Sequence, residues 1–132
     1  MSRAKGILLY VMAALYCYVG FSHLVNPEFF VGIIPPALPE PELLNVVSGL
    51  AEIVLGVFLL DRRTRPFAAW GVIALLIAVF PANIYAATDN VGPGGPGTGA
   101  GIANWFRLPF QFVFIAWAWW YTVPEPGTEP SA

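Results

Sequence analysis

The sequence predicts an all-α integral membrane protein, a four-transmembrane-helix bundle with a proline-rich interfacial segment between helices one and two. The chain is 58% hydrophobic and 11% charged over 132 residues, whereas soluble domains carry about 25% charged residues. Four long apolar runs divide the chain, and prolines crowd the connection between the first two. Together these observations favour lipid over water as the surrounding solvent.

The four apolar runs are the predicted helices. Each holds about 18–22 residues, enough at about 1.5 Å per residue to cross a hydrocarbon core of about 30 Å. The runs cover about 6–25, 43–60, 66–87 and 102–121. They define a membrane domain over 1–122, and the proline-rich tail 123–132 is expected to be disordered and cytoplasmic.

Positive charges predict the orientation of this bundle. They precede the first helix or fill the loop between the second and third, at Arg3, Lys5, Arg62, Arg63 and Arg65. Because cytoplasmic loops are enriched in Lys and Arg, both termini are expected in the cytoplasm. We therefore predict a multi-pass protein of the cell (inner) membrane, with the 26–42 and 88–101 loops facing outward.

Composition excludes several function classes. The net charge of -2 leaves no basic patch, so no nucleic-acid partner is expected. Cys17 is the single cysteine, which rules out an intramolecular disulfide, a CxxC redox pair or a cysteine zinc site. The single histidine, His23, excludes bis-histidine haem ligation within one chain. We predict no metal site.

The segment after the first helix is apolar, yet proline keeps it from forming a long helix. Pro27 opens it, and further prolines follow at 35, 36, 39 and 41. We predict a short helical turn around 27–33 at the level of the lipid headgroups, followed by an extended return to the second helix.

Glu52 is the most informative polar residue, because an ionised carboxylate in the middle of a span is costly unless it is paired or lines a cavity. It lies on a small and polar face of the second helix that is predicted to point into the bundle, formed by Asn45, Ser48, Gly49, Glu52 and Gly56. Arg107 in the fourth helix is its predicted partner, with Gln111 one turn deeper.

The other helices also contribute polar groups to the outer half. Pro81 and Pro109 each leave a helix carbonyl without its donor, Asn83 adds an amide, and His23 ends the first helix. The predicted ligand-binding residues are Glu52, Arg107, Gln111, His23 and Asn83. The predicted structural residues are Pro27, Gly49, Gly56, Pro81 and Pro109. Interhelical hydrogen bonding without any ligand is the alternative role for the intramembrane polar residues.

Over about residues 6–122 the sequence resembles the DoxX family of small prokaryotic four-helix membrane proteins, in its uncharacterised short branch. The resemblance rests on "GFSHLVNPEFFVGIIPPALP", "SGLAEIVLGVFLL", "RRTRPFAAWG", "VFPANIYAA" and "WFRLPFQFVFIAWAWWYT". It implies a four-helix bundle with a polar set at His23, Pro27, Glu52, Asn83, Arg107, Pro109 and Gln111. This chain departs from the family in having Leu24, where many members have phenylalanine after the histidine.

The resemblance also implies an association with quinone-linked redox metabolism. We therefore expect an accessory or binding subunit for a small amphipathic ligand such as a quinone or lipid, with a membrane or soluble redox enzyme as its partner. Two alternatives stay open: an assembly partner or chaperone without ligand chemistry, and a catalytic quinone-linked oxidoreductase subunit. No cofactor is required by the residues, and a quinone would fit them.

Overall fold

The computed structural model describes residues 1–92, 96–99 and 101–123, which form five α-helices. The helices are α1 (Arg3–Val25), α2 (Pro27–Gly32), α3 (Pro41–Leu59), α4 (Arg65–Thr88) and α5 (Ile102–Trp119). The all-helical prediction is confirmed. All but the first residue of the predicted 123–132 tail lies outside the described residues. The predicted helical turn at 27–33 corresponds to α2.

Local sequence explains where the helices begin. Proline occupies the first turn of α2, α3 and α4, a position where its missing N–H costs nothing and its fixed φ already suits a helix. α1 is instead capped by Ser2, whose hydroxyl accepts a hydrogen bond from the Lys5 backbone N–H at 3.1 Å.

The turn between α3 and α4 is held by side chains that satisfy the carbonyls at the end of α3. Arg65 donates from Nε to the Leu59 carbonyl at 2.7 Å and from Nη2 to the Leu60 carbonyl at 3.1 Å. The Thr64 hydroxyl donates to the Phe58 carbonyl at 2.7 Å. One arginine of the predicted cytoplasmic cluster therefore has a structural role at a helix C-terminus.

Within the described part of the chain, α1, α3 and α4 are long and apolar enough to cross a membrane. Large apolar side chains such as Tyr18, Phe67 and Phe112 are exposed on the outer faces, where lipid would solvate them. α5 is not among these candidate spans, because it carries Arg107 and Gln111 along with other polar residues. A fourth span remains a prediction.

The helices pack in the order α1, α3, α4 and α5, with α2 lying against α1 and α3. Among the described residues, α1 and α5 make no close backbone contact. The tightest contact joins α1 to α3, where a Cβ on Gly20 would lie 2.5 Å from the Gly49 carbonyl oxygen. Gly56 likewise packs on the Ala13 backbone. Glycines therefore allow these two helices to touch through their backbones.

The two ends of the bundle differ. At one end, apolar side chains fill the interior, including Leu9, Met12, Leu59 and Val72. There the buried Tyr121 hydroxyl donates to the Lys5 carbonyl at 2.8 Å and joins the two ends of the described helical region. We call the opposite end, where α1 and α4 end and α3 and α5 begin, the histidine end.

The connection between α4 and α5 is anchored on two asparagines. Oδ1 of Asn90 accepts from the Gly101 backbone N–H at 2.8 Å and from the Asn104 amide at 3.3 Å. The Gly99 N–H donates to the Asn90 carbonyl at 2.8 Å. The described residues of this connection thus fold back onto the ends of both helices.

Candidate functional site

A cavity of about 580 Å³ lies in the histidine end, and all five helices line it. Its walls are mainly apolar, and several polar side chains reach it. The polar residues are Tyr16, His23, Asn45, Ser48, Glu52, Asn83, Arg107 and Gln111. The structure therefore brings all five predicted ligand-binding residues to one cavity.

His23, Asn45 and Glu52 form a connected polar group at this cavity. The Asn45 amide donates from Nδ2 to the His23 carbonyl at 2.8 Å, and its Oδ1 lies 2.8 Å from His23 Nδ1. Since a carbonyl oxygen can only accept, Nδ1 must carry a proton. On the other side of the ring, Nε2 lies 3.3 Å from Glu52 Oε2. Asn45 thus keeps Nδ1 protonated and leaves Nε2, the nitrogen that faces Glu52, as the one that can gain or lose a proton.

Glu52 is buried, with 8% of its surface exposed. Its Oε2 points to His23 and is enclosed, and this contact is too poorly aligned to count as a hydrogen bond. Oε1 is then the carboxyl oxygen left to the cavity. Because Nδ1 of His23 is already protonated, one further proton is needed between Nε2 and Oε2 to avoid facing lone pairs.

Close packing of α1 on α3 brings these groups together. A Cβ on Gly49 would lie 2.7 Å from His23 Cβ and 2.9 Å from the Gly20 carbonyl oxygen. Asn45, Gly49 and Glu52 all lie on the buried face of α3. The glycines therefore bring the histidine of α1 between the amide and the carboxylate of α3, which are two helical turns apart.

The proline-rich segment covers the cavity. Phe30 of α2 stacks on the His23 ring with centroids 3.8 Å apart and planes inclined by 20°. Phe30, Ile33 and Ile34 all line the cavity. Pro27 opens α2, as expected of a structural residue. The segment between α1 and α3 is thus a cover over the histidine end.

Gln111 lies on the wall opposite, 4% exposed. It donates from Nε2 to the Leu76 carbonyl of α4 at 3.0 Å, which fixes the orientation of its amide. Its Oε1 is buried without a hydrogen-bond partner among the described residues. Gln111 therefore connects α5 to α4 and has one acceptor oxygen without a partner among the described residues.

The two predicted structural prolines of these helices lie inside them, Pro81 in α4 and Pro109 in α5.

Arg107 and Asn83 also line the cavity. Glu52 makes its ion-pair contact with His23. The predicted pairing of Glu52 with Arg107 stays a prediction, since no contact between their side chains tests it. The two residues nevertheless border the same space, as their positions in the sequence indicate.

Three residues that the sequence did not single out as ligand-binding belong to this site. Asn45 orients the histidine, buried Tyr16 lines the cavity, and Phe30 covers it. The seven-residue spacing of Asn45 and Glu52 was a usable signal, because it places both on one face of a helix. Nothing in the sequence specified the position of Phe30 over the ring.

The fold and this site define a class, an all-helical protein with three helices long and apolar enough to span a membrane and a mainly apolar cavity that a few polar side chains reach. Within that class, the family described as "Domain of unknown function (DUF8561)" matches residues 12–122, and the chain belongs to that family. No curated protein and no solved structure matches the chain.

Proposed function

We propose that this protein is an accessory or binding protein, embedded in the membrane, for a small amphipathic ligand such as a quinone or a lipid. The observation that carries the proposal is the cavity of about 580 Å³, apolar along its walls with polar groups converging at the histidine end. Small-molecule sites typically enclose about 300–1,000 Å³ and combine apolar walls with a few polar groups. A polar head would lie beside Glu52 and an apolar body along the walls.

Entry from the lipid fits this arrangement. Leu15 of α1 and Phe110 of α5 line the cavity and are exposed, at 39% and 57%. They flank the gap where α1 and α5 lack close contact. An apolar ligand could therefore enter sideways from the bilayer without crossing water.

The proposal includes four spans in the cell membrane, with the histidine end on the non-cytoplasmic side. The hydrogen bond from Tyr121 to Lys5 supports this topology, because it brings the start of α1 and the end of α5 to one end of the bundle. The cations near that end favour the cytoplasmic side.

A catalytic quinone-linked oxidoreductase subunit is the second candidate. The contact of Glu52 with His23 favours it, since a proton held between two cavity-lining groups could exchange with a ligand. The assembly-partner alternative has less support. It needs the polar face of α3 to meet another protein, and α1 covers Gly49 and Gly56 on that face. Association with a redox enzyme is supported by the resemblance to DoxX proteins.

Mass spectrometry of small molecules retained by the gently purified protein tests the proposal. Three proteins are compared: the natural sequence, Ala82→Phe, which fills the cavity wall, and Ala78→Phe, which places the same ring on the exposed face of α4. We expect one amphipathic compound at near-stoichiometric amount in the first and third proteins and its loss from Ala82→Phe. Identical extracts from all three would contradict the proposal.

A further inference from the structure

The polar groups of the cavity restrict the chemistry of the ligand head, an inference that rests on the proposed binding function. Protonation of the pair formed by His23 and Glu52 has two arrangements consistent with the geometry. With the proton on Nε2, Glu52 is an ionised carboxylate, and both of its oxygens can only act as acceptors. With the proton on Glu52, it must be on Oε2, because a proton on Oε1 would leave two lone pairs facing each other at 3.3 Å.

In both arrangements the remaining oxygen, Glu52 Oε1, is an acceptor. This conclusion depends on Asn45, whose Oδ1 lies 2.8 Å from His23 Nδ1 and keeps a proton on that nitrogen. The neutral tautomer with its proton on Nε2 and none on Nδ1 is therefore excluded. A second acceptor is Gln111 Oε1, which is buried and has no partner among the described residues. Its amide cannot turn over without losing the hydrogen bond to the Leu76 carbonyl.

We propose that the site selects a ligand whose polar head donates hydrogen bonds to Glu52 and Gln111, namely a hydroxyl-bearing amphiphile. For a quinone-class ligand, this means that the reduced, dihydroxy form binds more tightly than the oxidised dicarbonyl form. A head that only accepts would leave Glu52 Oε1 desolvated and unpaired, and an unpaired buried polar group costs more than an ordinary hydrogen bond contributes. Arg107 can donate to either form, so it does not discriminate between them.

The test compares binding of two compounds to the full-length protein in lipid nanodiscs by isothermal titration calorimetry without oxygen. One is a para-dihydroxybenzene with a decyl chain, and the other is its bis-methyl ether, which has the same ring and chain but cannot donate. We expect the dihydroxy compound to bind at least about tenfold more tightly. Equal affinity for the two compounds would overturn the inference while leaving the proposed binding function intact. If neither compound binds, the proposed function fails as well.

Variants of Glu52 assign the discrimination to that residue. In Glu52→Gln, the amide N–H₂ can donate to His23 Nε2 and leave its oxygen toward the cavity, so the preference for the dihydroxy compound should persist. In Glu52→Leu the acceptor is gone, and the preference should fall to within about threefold. Val54→Leu, at an exposed position of α3 that does not line the cavity, is the matched control and should keep the full preference. Loss of preference in Glu52→Gln, or its persistence in Glu52→Leu, would overturn the inference.

Discussion

Substitution of Gly20 by alanine should destabilise the bundle and also break the contact between His23 and Asn45 at the cavity. The new Cβ would lie 2.5 Å from the Gly49 carbonyl oxygen and 2.8 Å from Cγ1 of Ile53. Ordinary van der Waals contact begins near 3.4 Å, so α1 must move away from α3 by the difference, about 0.9 Å. Overpacking of this kind costs about 1–3 kcal/mol.

The same displacement reaches the site, because His23 lies less than one turn beyond Gly20. Its Nδ1 is 2.8 Å from Asn45 Oδ1, and a shift of about 0.9 Å would bring that distance to about 3.7 Å, beyond hydrogen-bonding range. We therefore expect weaker ligand retention as well as a lower free energy of unfolding.

Unfolding in detergent micelles, followed by far-ultraviolet circular dichroism, measures the stability of this variant. Gly32→Ala is the matched control: Gly32 also lies in a helix, and a Cβ there would meet nothing within 4 Å. The control should equal or slightly exceed the natural protein, since alanine favours helix. If Gly20→Ala and Gly32→Ala have the same unfolding midpoint, the close contact between Gly20 and Gly49 does not stabilise the bundle.

Three further predictions concern single contacts. Asn45→Leu should lower the free energy of unfolding by roughly 1–3 kcal/mol, since His23 Nδ1 and its carbonyl both lose their partner; an unchanged urea midpoint would contradict this. Arg65→Gln should cost about 1 kcal/mol through two lost hydrogen bonds at the end of α3, whereas exposed Arg62→Gln should be neutral in the same titration. Tyr121→Phe should cost about 1 kcal/mol by removing the hydrogen bond to the Lys5 carbonyl, and amide hydrogen exchange should show faster opening of the first turn of α1; unchanged exchange there would refute it.

Periodicity alone predicted much of the fold and one face of the site. Apolar runs of spanning length predicted α1, α3 and α4, and helical spacing predicted that Gly49, Glu52 and Gly56 share a buried face. These properties are local to one helix, so they follow from the 3.6-residue repeat. The short helix at Pro27–Gly32 was also predicted from a local property, since one proline lies at its start and further prolines follow it.

Contacts between helices were harder to predict, because they depend on rotation and depth that no single segment determines. Counting residues from the ends of the runs favoured Arg107 as the partner of Glu52, which stays a prediction, and it did not indicate His23, which the structure places 3.3 Å from Glu52. The glycine contact between α1 and α3 determines that register, and it appears only when both helices are considered together. The position of the proline-rich segment over the cavity could not be predicted either, because proline excludes helical conformation without determining where the segment packs.

The hydrogen bond from the Tyr121 hydroxyl to the Lys5 carbonyl, at 2.8 Å, means that polypeptide fused before α1 and after α5 would emerge side by side. The two halves of a split fluorescent protein, attached through short linkers at these positions, should complement each other within a single molecule. Their signal would then be independent of expression level, and such a fusion would report in living cells whether this end of the bundle stays closed.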